Sequence, residues 1–432
     1  MHLAQRAYAL ILLTATLAIA GLWSAEPGLS RWWHVPAAVL LMGIAFEAFF
    51  ARGAAITADL EVSSRAFLGR ALPAAFVLRN GTSRPAVVAF APVVPEGFEP
   101  LIQVRKVTAP PWGVARHLVT LLPVRLGRQS WPTVPARLLG PLGIAWWSVS
   151  LQPSPEVAIV PNTLGMARVR PRGHLGGFRP RRTVGAGSEL HQLRGYVRGD
   201  PLARIDWKAT ARSRELVSRE FSEDQHLDIL VAVDAGRLSR VRAGHLDRFG
   251  HYANIAARFA EVVTPNDDRI GLLVFSDRPL AVCPPDRGLP AVIRVRRALE
   301  TLSLNFAESD VTAAAVRIRR MLKHRSLVVL LTDLDDPAAA DQLTRAVRLL
   351  TPPHLVVVAG IRNLEIADLA RQDAREWQDP WISLAAQEHE SRAEAHRALL
   401  RRLGAPVVSV REDLLERAVI AQYEALRRSR RV

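Results

Sequence analysis

The chain has 432 residues, more than one ordinary domain, so two or three folded units are expected. Hydrophobic residues make up 49% and charged residues 23%, proportions that exclude wholesale disorder. The formal net charge is +16, and almost all basic residues are arginines. That excess has two interpretations: a GC-rich genome, or attraction to lipid headgroups, an acidic protein or nucleic acid. The single cysteine, Cys283, excludes an intramolecular disulfide and a thiolate metal cluster.

Two long apolar runs occupy the first fifty residues. Residues 7–23 carry no charge, and residues 32–50 carry one acid, Glu47. Each run is long enough to cross a bilayer as a helix, so residues 1–53 are predicted to form a transmembrane hairpin. Glu47 lies about one helical turn from Arg52, so we expect it to pair or to reach water at the membrane boundary. Aromatic residues typical of a membrane interface stand at the ends of the runs: Trp23, Trp32 and Trp33.

The orientation of this hairpin follows from the basic residues around it. The loop between the runs carries only Glu26 and Arg31, whereas Arg6 and the basic remainder flank the other side. The positive-inside rule then predicts a multi-pass protein of the bacterial inner membrane whose soluble part is cytoplasmic. The alternative is a cleaved signal peptide ending near residues 18–20, which leaves the second run as a lone span.

Residues 54–160 are predicted to form a small β-rich, sandwich-like domain. Short β-prone runs alternate there with turns that contain glycine and proline: 56–63, 71–80, 85–94, 115–127 and 145–153. Residues 161–225 form a basic arm that begins with a linker at 161–186. Between residues 168 and 219, thirteen basic residues oppose four acidic ones, a net charge of +9.

Residues 226–432 alternate apolar strands with helical segments. Unbroken Val, Ile and Leu runs are typical of parallel strands that helices cover on both faces. The pattern predicts an α/β fold, a doubly wound and mainly parallel sheet whose ligand sites lie beyond the carboxyl ends of the strands. Three predicted strands end there in an aspartate: Asp234, Asp277 and Asp333.

The sequence carries no motif of a common enzyme class. No lysine follows a glycine as in a phosphate-binding loop, and no Gly-x-Ser-x-Gly elbow is present. His389 and Glu390 begin a zinc-protease pattern, but Ala393 stands where the second histidine is required. We therefore expect no enzymatic activity.

The run from Gly187 to Phe221 mixes aromatic, acidic and arginine residues densely. Its carboxylates and guanidinium groups invite ion pairs, and Tyr196 and Trp207 offer faces for arginine stacking. It is either a structural clasp or a recognition surface. The run resembles the signature of the family called domain of unknown function 58, through Gly187, Glu189, Arg194, Tyr196, Gly199, Asp200, Arg204, Ile205, Asp206, Trp207, Ala211 and Arg212.

This resemblance implies two membrane helices, a β-rich segment, the signature and a von Willebrand A-like domain. The step from Gly140 to Ile144 resembles the family's Asp-Pro-Phe-Gly-Leu step, with Gly140 in place of the acid. Members commonly accompany MoxR-type AAA+ ATPases, which implies an adaptor or scaffold beside such a motor. The expected binding residues are Glu189, Arg194, Tyr196, Gly199, Asp200, Arg204, Asp206, Trp207 and Arg212.

Two other functions stay open. The chain can serve envelope assembly or transport with its β-rich part in the periplasm, or its basic arm can bind anionic lipid or nucleic acid. Nucleic acid is the less favoured ligand, since no spacing of a nucleic-acid module appears.

Von Willebrand A domains often hold a divalent cation in a metal-ion-dependent adhesion site. The resemblance implies Asp234, Thr312 and Asp333 as its ligands here. However, Gly236 and Leu238 stand where the pattern Asp-x-Ser-x-Ser requires serines. We therefore expect no cofactor, with Mg²⁺ bound weakly or not at all, and the aspartates are equally suited to cap helices.

Overall fold

The chain folds into four parts in the computed structural model, which describes residues 2–23, 31–53, 55–100, 103–163, 184–222, 227–302, 304 and 306–428. A short strand β1 (His2–Leu3) precedes two helices, α1 (Gln5–Trp23) and α2 (His34–Arg52). Both helices are long and apolar enough to cross a membrane. Their apolar side chains are largely exposed, unlike those of a core helix in a soluble protein.

Ten strands follow the helices: β2 (Ile56–Glu61), β3 (Arg65–Phe67), β4 (Leu72–Asn80), β5 (Ala86–Phe90), β6 (Arg105–Ala109), β7 (Val114–Leu121), β8 (Gly127–Ser130), β9 (Val134–Leu139), β10 (Ala145–Leu151) and β11 (Glu156–Val160). They form three small sheets, in the orders β1-β10-β9-β5-β6, β2-β4-β7 and β3-β11-β8. Buried residues alternate with half-buried ones along β5 and mainly with exposed ones along β9, as expected for strands with one face on a core. That core includes Phe76 and Phe90, whose rings lie 5.6 Å apart.

A two-stranded ribbon comes next, formed by β12 (Val184–Gly195) and β13 (Val217–Ser222). Between the strands lie a 3₁₀ turn (Leu202–Arg204) and a short helix, α3 (Trp207–Ser213). The predicted linker ends sooner than expected, because β12 already begins at Val184. Residues 164–183 of that linker lie outside the described residues.

The last part contains strands β14 (Asp228–Asp234), β15 (Arg242–Ala243), β16 (Leu246–Asp247), β17 (Arg269–Phe275), β18 (Pro279–Asp286), β19 (Leu327–Leu331), β20 (Leu355–Ile361) and β21 (Val407–Val410). Its helices are α4 (Arg248–Val263), α5 (Gly288–Glu300), α6 (Val311–Met321), α7 (Pro337–Leu350), α8 (Leu364–Leu369), α9 (Asp379–Arg402) and α10 (Glu412–Arg428).

Six of these strands form one sheet in the order β18-β17-β14-β19-β20-β21. All neighbours are parallel except the edge strand β18, which runs antiparallel to β17. Side chains of β14 alternate between two cores: Val231 packs with α4, α5 and α10, whereas Leu230 packs with α6 and α7. Helices cover both faces of the sheet, so the side chains on both faces are apolar. Consecutive residues of β14 therefore form one continuous apolar run. The predicted α/β class with a mainly parallel sheet is confirmed.

One turn of the β-rich part, residues 140–145, contacts both N-terminal helices. The carboxylate of Glu47 is buried and accepts backbone N–H bonds from Leu142, Ile144 and Ala145 at 2.8–3.0 Å. The Arg6 side chain donates to the Leu142 carbonyl at 2.8 Å. The expectation that Glu47 pairs with Arg52 or reaches water was wrong, because the turn supplies three donors to it. A Cβ at Gly140 would overlap this carboxylate, so a larger residue there would force the Glu47 side chain to move.

Candidate functional site

Asp234 and Asp333 lie at the same edge of the six-stranded sheet. Asp234 is the last residue of β14, and Asp333 stands two residues beyond the end of β19. The two strands are direct parallel neighbours, with Val233 opposite Leu331. Carboxyl ends of parallel strands share one edge, which brings the two aspartates close together. Both side chains are buried.

Every oxygen of the Asp234 carboxylate has a partner from the protein. Oδ1 accepts the Gly236 N–H at 2.9 Å and the hydroxyl of Ser309, and Oδ2 accepts the Thr332 hydroxyl at 2.6 Å. Thr312, which the sequence implied at this place, lies in the first turn of α6, and none of the described contacts of Asp234 involves it. Ser309 lies close by because it is next to Asp310, the N-cap residue of that helix.

Asp333 forms a buried ion pair with Arg248, the first residue of α4. Its Oδ1 also accepts the Asp335 N–H at 2.9 Å. Burial raises the pKa of Asp333, and the guanidinium of Arg248 opposes that rise. The neighbouring Tyr252 hydroxyl donates to the Thr332 carbonyl at 3.0 Å, and burial raises the pKa of this phenol. Hydrogen bonds and an ion pair within the protein therefore fix the side chains at this end of the sheet.

A second buried arginine, Arg397, links α9 to the same edge of the sheet. Its guanidinium contacts Asp335 at 3.0 Å and the α9 residues Glu390 and Glu394 at 2.9 Å each. Sequence reasoning missed Arg397, although its spacing of three and seven residues from the two glutamates is a usable signal. It also missed Arg248, for which the sequence offers no comparable signal.

These residues do not fit the divalent cation that the family resemblance implies. A hard cation takes six or more oxygen ligands. The two positions that hold serines in the adhesion-site pattern are occupied here by Gly236 and Leu238, which have no hydroxyl group. The oxygens of Asp234 already accept hydroxyl and amide donors, and Asp333 already faces a positive guanidinium. Among the residues that the structure describes, no group of three or more His, Cys, Asp or Glu side chains is arranged to hold a metal ion.

The ribbon brings most of the signature residues together. The Arg194 guanidinium donates to Asp200 Oδ1 at 2.8 Å, and the Val197 N–H donates to Oδ2 at 3.1 Å. These two bonds lower the pKa of Asp200. Gly199 has φ +116°, a region that favours glycine, and it allows the tight turn beside Asp200. Tyr196 continues the pairing of the strands, since its N–H donates to the Leu216 carbonyl at 2.8 Å.

Asp206 is the N-cap of α3. Its carboxylate accepts the N–H groups of Ala209 at 3.0 Å and Lys208 at 3.1 Å, and Arg219 lies 3.6 Å away. The Ala209 bond is the largest cause of the lowered pKa of Asp206. The acidic signature residues thus hold the ribbon's shape. Glu189 lies in β12 opposite Ser222, and its side chain lies outside the described residues.

The ribbon exposes apolar side chains that a soluble protein usually buries. Trp207 is 65% exposed and Leu202 is 70% exposed. Among the described side chains of the ribbon, the large apolar residues Leu193, Val197 and Leu216 are also exposed. None of the described cation–π contacts joins an arginine of the signature to Trp207 or Tyr196, and the Arg194 guanidinium pairs with Asp200. Arg204 is half-buried and Arg212 is exposed.

The described residues therefore define a protein with two apolar helices, a β-rich part, a two-stranded ribbon and an α/β part with buried ion pairs beside the carboxyl ends of its strands. Residues 192–398 match the family described as "Protein of unknown function DUF58". This match covers the end of β12, the signature from residue 192 onward, five of the six strands of the sheet and most of α9.

The chain is similar to uncharacterised proteins of Mycobacterium tuberculosis and Mycobacterium bovis. Identity is 26% over 259 residues, which cover 56% of this chain and 81% of each relative. Among solved structures, an uncharacterised membrane-spanning protein from Vibrio fischeri matches 47% of this chain and 99% of its own, at 18% identity and a TM-score of 0.18. The CARDB domain of a Pyrococcus furiosus protein matches 25% of this chain and 89% of its own, at 10% identity and a TM-score of 0.18.

Proposed function

We propose that this protein is a membrane-anchored interaction module, an adaptor or scaffold without enzymatic activity, whose partner is a MoxR-type AAA+ ATPase. The observation that carries the proposal is the ribbon of residues 184–222, which presents Trp207, Leu202 and Val197 to solvent. Several exposed apolar side chains within one short segment favour a protein interaction site. Tryptophan and arginine are also the residues most often found as binding hot spots.

The ribbon is built to present that surface. A two-stranded sheet is marginally stable in water, so it needs added support. The Arg194–Asp200 pair and the Asp206 cap provide it at the turn and at α3. Lys208 and Arg212 are exposed beside the apolar residues, which favours a partner with acidic groups around an apolar pocket.

The N-terminal helices serve as the membrane anchor in this proposal. Their ends, at Arg6 and Glu47, bind one turn of the β-rich part, and β1 pairs with β10. Cleavage of a signal peptide near residues 18–20 would remove the Arg6 and β1 contacts, so a multi-pass hairpin is favoured. Together with the distribution of basic residues, this supports a bacterial inner-membrane protein with a cytoplasmic soluble part.

Topology mapping tests the anchor. A cytoplasmically active reporter fused after residue 432 should be active, and a periplasmically active reporter should be silent. The reverse result would support a role in envelope assembly or transport on the periplasmic side.

The α/β part is proposed to be a von Willebrand A-like domain that works without a divalent cation. Arg248 supplies the positive charge at Asp333, so the strand edge needs no metal for neutralisation. In calorimetry on the full chain, Mg²⁺ should give no saturable heat. Micromolar binding that Asp234→Ala abolishes would overturn this part of the proposal.

The partner is tested by binding of the full chain, reconstituted in nanodiscs, to the purified MoxR-type ATPase of the same organism. Trp207→Ala should weaken binding about tenfold or more, as loss of a hot spot does. Trp377→Ala is the matched control, because Trp377 is 83% exposed and lies outside the ribbon. The proposal fails if the wild-type chain shows no saturable binding, or if both variants bind as the wild type does.

A further inference from the structure

We propose that the loop Pro110–Gly113, with Trp112 near its tip, inserts into the headgroup region of the bilayer that holds α1 and α2. One end of the β2-β4-β7 sheet would then lie on an anionic membrane surface. This inference rests on the proposed membrane anchor and adds a second contact with the same bilayer.

The loop lies next to the end of α2. Strand β2 starts four residues after Arg52, and the Gly81 N–H donates to the Ala55 carbonyl at 2.8 Å. The Trp112 N–H in turn donates to the Thr82 carbonyl at 3.0 Å. Two adjacent loops of the β-rich part, 81–84 and 110–113, therefore stand at the level where the helix ends.

A direct side-chain contact places the same loops against the helix. The Arg84 guanidinium lies over the Phe50 ring, 5.5 Å from its centroid. Thr82 lines a cavity of about 520 Å³ together with Phe49, Phe50 and Arg52 of α2. The loops are thus continuous with the last turn of the membrane-length helix.

The Trp112 loop is held rigidly in an outward position. The buried side chain of Asn80 donates to the carbonyls of Arg84 at 2.7 Å and Pro110 at 2.9 Å. Trp112 itself has φ 51°, a left-handed conformation that is uncommon for a bulky residue, and it is 73% exposed. A tryptophan that is fixed in solvent beside a helix end is typical of a membrane interface, where the indole ring is favoured.

The positive charge around the loop favours an anionic membrane surface. Arg52, Arg79 and Arg84 are exposed around the loop. The segments 50–58, 79–86 and 109–114 contain no acidic residue. Anionic lipid headgroups attract such clusters of arginine near a membrane helix. Because the loop adjoins the end of α2, a bilayer is favoured over a protein partner as the surface that it contacts.

The experiment measures the depth of single nitroxide labels on the full chain. Cys283 is first replaced by alanine, and a label is attached at Trp112→Cys or, as a control, at Leu118→Cys. Leu118 is 80% exposed on β7, farther from the helix end. A label at Ser83→Cys, on the neighbouring exposed loop, gives an independent measurement. The chains are reconstituted in nanodiscs of phosphatidylcholine alone or mixed with phosphatidylglycerol.

We expect a water-soluble nickel relaxant to reach the labels at 112 and 83 about threefold less than the label at 118, as for groups at the bilayer interface. Phosphatidylglycerol should enlarge this difference. Equal, aqueous exposure of all three labels in a chain that resists carbonate extraction overturns the inference and leaves the anchor intact. Release of the chain by carbonate overturns both the anchor and the inference.

Discussion

Replacement of Arg248 by alanine removes the positive charge that faces Asp333 inside the protein. The two side chains are 6% and 8% exposed, so water does not take the place of the guanidinium. Breaking a buried ion pair costs about 3–5 kcal/mol, because the remaining charge stays buried without a partner. The Asp335 N–H still donates to Asp333 and offsets part of the cost. We therefore expect the free energy of unfolding to fall by about 3 kcal/mol at neutral pH.

The size of this loss should depend on pH. Burial raises the pKa of Asp333 above its ordinary value of 3.8, and Arg248 opposes the rise, so the variant's pKa should be higher still. A raised folded-state pKa gives stability that is fully present below the unfolded value and is lost as the pH rises through the folded value. The difference between Arg248→Ala and the wild type should therefore shrink as the pH falls from neutral toward 3.8.

Hydrogen exchange of β14 and β19 in the full chain measures this loss as a free energy of opening. Arg294→Ala is the matched control, because it breaks an exposed pair with Asp286, at 2.7 Å and nearly half exposed on both sides. That change should cost much less than Arg248→Ala, because water solvates both partners of the exposed pair. Adding Asp333→Asn to Arg248→Ala should recover part of the loss. Equal costs for the two arginine variants, or a cost that does not vary with pH, would refute the reasoning.

Three further changes test the turn at 140–145 and the ribbon. Glu47→Gln removes the charge from three hydrogen bonds. Amide hydrogen exchange in the turn should then show a free energy of opening that is lower by about 1.5–3 kcal/mol. Unchanged protection of these amides would contradict the contact. Gly140→Ala should speed proteolysis at the turn by clashing with Glu47, whereas Gly53→Ala, with no close contact, should not. Asp206→Ala should destabilise the first turn of α3, seen as faster amide exchange there, and equal exchange would rule out the cap.

Apolar periodicity is sufficient to predict the α/β part. The predicted alternation of apolar strands and helical segments over residues 226–432 is present from β14 (Asp228–Asp234) to α10 (Glu412–Arg428). Parallel strands covered on both faces have continuous apolar runs, and amphipathic helices have a different period. Both patterns are local and can be seen in the chain.

The β-rich part is less visible in its sequence. All five predicted runs contain strands, but β3, β6, β8, β9 and β11 were not predicted. Strand β8 has the sequence GRQS, with alternating half-buried and exposed residues and no apolar pattern. Its position depends on pairing with β11, about thirty residues later in the chain. Such pairing is a property of the assembled sheet.

The candidate site divides in the same way. Asp234 and Asp333 could be placed at one sheet edge because strand ends follow from the order of the elements. Their partners could not, since Arg248 and Ser309 come from helix starts that approach the edge only in three dimensions. A buried arginine and a solvent-facing arginine look alike in a sequence, and only packing distinguishes them.

Glu47 shows most clearly which properties the sequence determines and which ones depend on the tertiary structure. The local pattern correctly marks residues 32–50 as an apolar helix long enough for a membrane, because helix formation and hydropathy depend on neighbouring residues. The fate of its one carboxylate depends on a turn almost a hundred residues away, where Gly140 leaves room and three amides point inward. Local interactions set the elements of this protein, and contacts between distant segments set which polar groups are buried, paired or free to bind.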